Sequence, residues 1–151
     1  MYKRILVPVD GSEGALRALD EALKLARLSN AQLQAVYVLE HPAQVVDVSA
    51  GFAEQTPVRD TSSETATSVL AEARERIAPF EVDGTVRAID AYGESLAAVL
   101  TRAIDEFDAD LVVMYSHGRS GIRRLFAGSV AESLLHDTTV PLLLLRNGNE
   151  E

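Results

Sequence analysis

The chain of 151 residues contains no cysteine, few lysines and no long apolar run. The lack of cysteine excludes disulfides, thiol nucleophiles, thiolate metal sites and redox pairs of the C-x-x-C type. A formal net charge of -9 argues against general nucleic-acid binding, which requires a basic surface. Because no apolar stretch approaches the roughly 18 residues of a membrane span, we expect no association with a membrane.

We also expect no secretory signal peptide at the start of the chain. The segment Met1–Ile5 enters a predicted strand directly, so we expect a cytoplasmic protein. The length suits one domain with a substantial core, which we place at residues 1–147, followed by a polar tail at 148–151.

Strand and helix patterns alternate along the sequence. Short apolar runs predict five strands, at residues 5–9, 33–39, 85–89, 111–115 and 140–145. Apolar residues at helical spacing predict four helices, from Ser12 to Asn30, Thr61 to Ile77, Ser95 to Phe107, and Gly128 or Ser129 to His136. This alternation predicts an α/β fold, a five-stranded parallel sheet that is doubly wound, with helices on both faces.

Two of the predicted strands end in polar turns that contain glycine. Strand one is followed by Asp10-Gly11-Ser12 and strand four by Ser116-His117-Gly118. In doubly wound sheets the ligand binds outside the carboxyl ends of the strands, where the strand order reverses. If strands one and four are neighbours, the two turns face each other, and Asp10 can accept a hydrogen bond from an amine or hydroxyl of a ligand. The alternative is that Asp10 is only a cap or turn residue.

The loop after strand four has the features of an anion site. Gly118 is separated by nine residues from Gly128 and Ser129, which open the predicted fourth helix. Backbone N–H groups at a helix N-terminus, together with the helix dipole, bind phosphate. Alternatively, the glycines only form turns, and Ser129 with Glu132 forms an S-x-x-E capping box that needs no ligand.

Charge distribution supports the anion site. The segment between Asp110 and Glu132 contains no acidic residue but has three arginines, Arg119, Arg123 and Arg124. We therefore add Arg119 to the candidate phosphate-binding residues, although the arginines are equally compatible with a solvated face.

Several common catalytic motifs are missing from the sequence. It has no G-x-G-x-x-G after the first strand, no P-loop, no G-x-S-x-G elbow and no H-E-x-x-H. His117 lies in the candidate loop, but a single histidine without a partner is weak support for catalysis. We therefore assign no catalytic residue and no metal ligand, and expect any turnover of a bound ligand to be slow.

Four segments together resemble the universal stress protein family. They are residues 5–12, residues 109–114 with 116–119, residues 128–132 and residues 140–146, so the resemblance covers nearly the whole chain. The ATP-binding branch of that family carries G-x-x-G, nine residues, then G-[ST]. Gly118, the spacer, Gly128 and Ser129 match this motif, whereas Tyr115 occupies the position of its first glycine.

The resemblance implies a fold of the adenine nucleotide alpha-hydrolase-like type and a homodimer formed through the fifth strand. It also implies an ATP site with a divalent ion, Mg²⁺ or Mn²⁺, carried by the phosphates. By this resemblance the adenine lies among Pro8, Val9, Asp10 and Val38, and the adenosine lies near Met114 and Tyr115. The phosphates are then held by Gly118, Gly128, Ser129 and Val130.

Tyr115 separates two functional hypotheses. The first is an ATP-binding regulator or sensor in the stress response, and the alternative is a dimeric interaction module of the same fold that binds no nucleotide. Strand alternation places Tyr115 on the same sheet face as Leu111 and Val113, which directs its ring away from the crevice. If the strand instead ends at Met114, the ring can cover the sugar pocket and block it.

Overall fold

The structure, a computed structural model, describes residues 1–40, 62–116 and 124–146, with the backbone alone for residue 62 and for residues 124–129. The strands in these ranges are β1 (Arg4–Pro8), β2 (Gln32–Leu39), β3 (Asp83–Asp90), β4 (Leu111–Ser116) and β5 (Leu142–Arg146). The helices are α1 (Glu13–Ser29), α2 (Ser62–Ile77), α3 (Leu96–Phe107) and α4 (Arg124–Asp137).

The five strands form one parallel sheet in the order β3-β2-β1-β4-β5. From β1 the chain proceeds outward through β2 and β3, and then returns to the other side of β1 to add β4 and β5. The strand order therefore reverses between β1 and β4, which are neighbours. The predicted doubly wound parallel sheet is confirmed, and its ligand crevice is expected at the carboxyl ends of these two strands.

Each face of the sheet is covered by two helices. Helices α1 and α2 pack over one face, where Leu19 and Leu23 of α1 are fully buried. Helices α3 and α4 cover the other face, with Leu100 and Leu134 at the centre of that layer. Truncating a buried leucine to alanine typically costs about 2–5 kcal/mol, so both layers fix the positions of the strand ends.

Polar side chains define the start and end of α1. The Ser12 hydroxyl caps the helix by accepting a hydrogen bond from the Ala15 N–H at 3.1 Å. The helix ends at Asn30, which adopts the left-handed conformation with φ 56°. In the same way Ser95 caps the start of α3, where its hydroxyl accepts from the Ala98 N–H at 3.1 Å. The predicted limits of both helices are confirmed.

The start of α4 differs from the sequence-based expectation. The helix begins at Arg124, so the predicted start at Gly128 or Ser129 is wrong. The capping box of Ser129 and Glu132 is wrong for the same reason, because both residues lie inside the helix. Residues 124–127 include arginine, leucine and alanine, which are strong helix formers, and a single interior glycine costs only about 1 kcal/mol. Thr61, the predicted cap of α2, lies outside the described residues.

Asp110 ties the beginning of β1 to the beginning of β4. Its carboxylate accepts hydrogen bonds from the backbone N–H of Lys3, at 2.9 Å and 3.1 Å, and from that of Arg4 at 2.9 Å. The Asp110 N–H in turn donates to the Arg4 carbonyl at 2.9 Å. These bonds set the alignment of the two strands whose far ends form the crevice.

Candidate functional site

A cavity of about 700 Å³ opens at the carboxyl ends of β1 and β4. This volume is in the range of small-molecule binding sites. The described residues that line it are Pro8, Val9, Asp10, Ser12, Ala15, Val36, Tyr37, Val38, Glu40, Ser95, Leu96, Ala97, Leu100, Met114, Tyr115, Val130 and Ser133. The cavity therefore lies at the point where the strand order reverses.

Most of the residues predicted for the site meet in this cavity. Its lining includes Pro8, Val9, Asp10, Val38, Met114, Tyr115 and Val130. Gly118 and Arg119 lie outside the described residues. Gly128 and Ser129 lie in the backbone of α4, one to two residues before Val130. The predicted nucleoside-binding residues are thus brought together with Val130, and the other predicted phosphate-binding residues either precede Val130 in α4 or lie outside the described part of the chain.

Asp10 lies in the turn between β1 and α1, at the cavity wall. Its Oδ1 accepts a hydrogen bond from the Ser12 N–H at 2.9 Å, as the alternative of a turn residue requires. A carboxylate offers about four lone-pair positions, and Asp10 can therefore also accept a hydrogen bond from a ligand. The turn holds its side chain in position without using up its hydrogen-bonding capacity.

The α3 and α4 side of the cavity is largely apolar. Val36, Leu100, Met114 and Val130 belong to the buried layer between the sheet and these two helices. Val38 packs against the same layer and is half-buried.

Tyr115 directs its ring to the opposite layer, against α1. Strand β4 continues through Ser116, and Tyr115 packs with Val113 in the layer under α1 and α2. A Cβ atom at Gly14 of α1 would lie only 2.3 Å from two of the ring carbons of Tyr115. Of the two alternatives for this residue, the structure shows the first: the strand does not end at Met114, and the ring is turned toward the helix.

Tyr37 is a lining residue that the sequence did not single out. Burial raises the pKa of its hydroxyl above the ordinary value, and the negative charges of Asp10 and then Glu40 raise it further. The phenol therefore stays protonated at neutral pH and can donate a hydrogen bond at the cavity wall. Its position at the end of β2, beside β1, is the signal that could have identified it.

Serine residues add further polar groups that were missed. Ser95 lines the cavity while its hydroxyl caps α3, and Ser133 lies one turn after Val130 in α4. The charged lining residues in the described ranges are Asp10 and Glu40. The described site is therefore acidic near β1 and β2.

Two further properties concern the described residues as a whole. In residues 1–40, 62–116 and 124–146, no three histidine, aspartate or glutamate side chains converge to hold a metal ion. The helices found in those ranges include none that is long and apolar enough to cross a membrane.

Comparison with known proteins identifies the family. The sequence model of the universal stress protein family matches residues 1–146. A universal stress protein of Methanocaldococcus jannaschii is 28% identical over 155 residues, covering 100% of this chain and 86% of the relative.

Two crystal structures are similar to this one throughout their length. A member of the family from Burkholderia pseudomallei is 33% identical, with a TM-score of 0.69 and coverage of 95% of this chain and 96% of that chain. A universal stress protein in complex with cAMP is 25% identical, with a TM-score of 0.70 and coverage of 96% and 97%. With the matching family model and this shared fold, the chain belongs to the universal stress protein family.

Proposed function

We propose that this protein binds ATP in the cavity between β1 and β4 and acts as a regulator or sensor in the cytoplasmic stress response. The observation that carries this proposal is the convergence of the predicted adenosine-binding residues on one cavity of about 700 Å³. A family member of similar fold forms a complex with cAMP, which supports an adenine nucleotide as the ligand class.

The nucleoside end of the ligand fits the described residues. Val38, Met114 and Val130 offer apolar contacts to the faces of an adenine ring or to the sugar. Asp10 can accept a hydrogen bond from the exocyclic amine or from a ribose hydroxyl, and the Tyr37 phenol can donate one. Apolar walls with a few placed polar groups are typical of such sites.

The phosphates would extend toward α4, where Gly128, Ser129 and Val130 follow one another. In a helix that begins at Arg124, the N–H groups of Gly128 and Ser129 donate to carbonyls four residues earlier. Phosphate binding through these two N–H groups therefore requires the first turn of α4 to open. We propose that ATP shortens α4 at its start and that Gly118 and Arg119 bind the phosphates, which carry Mg²⁺ or Mn²⁺.

Binding rather than rapid turnover is the proposed role. Asp10 is a carboxylate in the wall of the proposed adenosine site, and the Ser12 N–H already restrains it. We assign it to ligand binding and expect any hydrolysis of ATP to be slow.

We propose that the protein forms a homodimer through β5. This strand lies at one end of the sheet order, and the side chains of Leu143 and Leu144 are each 38% exposed. Because an apolar edge strand attracts another chain unless it is covered, a second copy is the proposed cover.

The test is to identify what the purified protein carries and what it binds. The protein is denatured, the released small molecules are separated by chromatography, and the refolded or ligand-free protein is titrated with ATP, cAMP and GTP. We expect an adenine nucleotide to be released, and ATP to raise the melting temperature more than GTP does. A ligand-free preparation that responds to none of the three would favour the interaction module that binds no nucleotide.

A further inference from the structure

Gly14 is a glycine that the backbone of α1 does not require. It is the second residue of α1 and is buried. Among the described residues, the glycines with positive φ are Gly11 and Gly93, so Gly14 needs no left-handed conformation. Glycine is a poor helix former, and its presence here calls for a reason other than backbone freedom.

The ring of Tyr115 supplies that reason. A Cβ atom at residue 14 would lie 2.3 Å from Cδ2 and Cε2 of Tyr115 and 2.5 Å from Cζ. Carbon atoms at van der Waals contact are about 3.5–4.0 Å apart, so any side chain at residue 14 would displace the ring. The ring rests directly on the backbone of α1, in the space that the missing side chain leaves.

If the ring of Tyr115 is displaced from α1, the adjoining space with room for it is the cavity. On its inner side the ring adjoins the packed layer that contains Val113 and the fully buried Ala18. Tyr115 also lines the cavity of about 700 Å³, which is open space large enough for an aromatic ring. A ring that can no longer rest on α1 would therefore turn into the cavity.

We infer that Gly14 is a positioning residue that lets Tyr115 rest on α1 and so keeps the nucleotide cavity open. The inference depends on the proposed function for its consequence, which is that a larger residue at position 14 weakens nucleotide binding. It explains how this chain accommodates a tyrosine at the edge of the cavity: the space comes from a glycine in the neighbouring helix.

The experiment is a double-mutant cycle of Gly14→Ala and Tyr115→Ala, with ATP affinity measured by calorimetry for all four proteins. We expect Gly14→Ala to weaken ATP binding tenfold or more in the wild-type background. In the Tyr115→Ala background the same change should alter the affinity less than threefold, because no ring remains to be displaced. Arg17→Ala, an exposed change one turn further along α1, serves as the matched control.

A crystal structure of Gly14→Ala without nucleotide gives a second readout, independent of ATP. The ring of Tyr115 inside the cavity supports the inference, and a ring that stays on α1 overturns it. An equal loss of ATP affinity in both backgrounds also overturns it. If the wild type binds no ATP, the proposed function fails and the ring position alone decides the positioning role. If Gly14→Ala alone does not fold, a double variant with Tyr115→Ala that folds supports the inference. A double variant that also fails to fold contradicts it.

Discussion

Two residues in the cavity wall supply complementary hydrogen-bonding groups: Asp10 is an acceptor held in place, and Tyr37 is a donor that keeps its proton. Asp10 is restrained by the Ser12 N–H, and Tyr37 keeps its proton because burial and two carboxylates oppose its ionisation. The sequence indicated Asp10 because it follows a strand in a glycine turn. Tyr37 was missed because a tyrosine inside an apolar strand has the pattern of a core residue.

The first prediction concerns the pH dependence of stability through Tyr37. Burial, and then the charges of Asp10 and Glu40, raise its pKa in the folded state above the ordinary tyrosine value of about 10, so the folded protein holds the phenolic proton more tightly than the unfolded chain. The stability that the raised pKa gives the folded state is fully present below pH 10 and is lost as the pH rises through the folded-state pKa. In urea titrations, the free energy of unfolding of Tyr37→Phe should therefore fall less above pH 10 than that of the wild type.

If the free energies of unfolding of the two proteins fall in parallel above pH 10, this role of Tyr37 is contradicted. Tyr92→Phe is the control, because Tyr92 is 86% exposed.

The second prediction concerns Gly128 in the proposed phosphate site. Gly128→Val should weaken ATP binding tenfold or more, because a branched side chain would keep the phosphates away from the nearby backbone N–H groups. Loss of one charge-assisted hydrogen bond of about 1.5–3 kcal/mol accounts for a change of that size. The fold should persist, since valine is a better helix former than glycine.

Calorimetry with ATP checks this expectation, with Leu135→Val in the same helix as the control. Leu135 is 61% exposed and lies away from the cavity lining. Unchanged ATP affinity in Gly128→Val would remove this residue from the site.

Helices and strands were predictable where a local pattern and a local cap agreed. Ser12 and Ser95 each precede an apolar stripe at helical spacing, and each caps its helix as expected. The start of α4 was not predictable in this way, because Gly128-Ser129 imitates a helix start while residues 124–127 favour the helix. The contact between Tyr115 and Gly14 was also beyond the sequence pattern, because it joins residues from two elements and depends on their packing distance.

The third prediction concerns the link between β1 and β4. Asp110→Ala removes the acceptor for the N–H groups of Lys3 and Arg4. We expect the free energy of unfolding to fall by about 1–2 kcal/mol, because these bonds have a charged acceptor but are partly exposed to water.

Denaturant titration measures this change. Asp83→Ala is the matched control, since Asp83 makes one exposed bond to Gln32 at 3.2 Å and should cost less than about 0.5 kcal/mol. Equal effects of the two substitutions would show that Asp110 does not hold the strands together.

At the scale of the whole molecule, the alternation of five strands and four helices was sufficient to predict the doubly wound sheet. The neighbouring position of β1 and β4 follows from that topology and explains why Asp10 and Met114 meet at one cavity. Assembly is not determined by the same pattern. The sheet order leaves β5 at an edge with Leu143 and Leu144 partly exposed, and this edge is where we propose that a second copy binds.

The fourth prediction concerns this assembly. Leu143→Asp places a charge on the edge strand and should convert the proposed dimer to monomers, as measured by light scattering at micromolar concentration. Leu28→Asp is the control, because Leu28 lies in the last turn of α1, outside the edge strand, and is 82% exposed. A wild-type protein that is already monomeric under these conditions would contradict the dimer.

The most direct measurement is calorimetric titration of the wild-type protein with ATP in the presence of Mg²⁺. Because the ring of Tyr115 rests on α1 and the cavity is open, we predict that one ATP binds per chain with a dissociation constant in the micromolar range. This corresponds to a binding free energy of about -8 kcal/mol. The contradictory result is a wild type that binds no ATP while Tyr115→Gly does, since Tyr115 would then close the cavity in the natural protein.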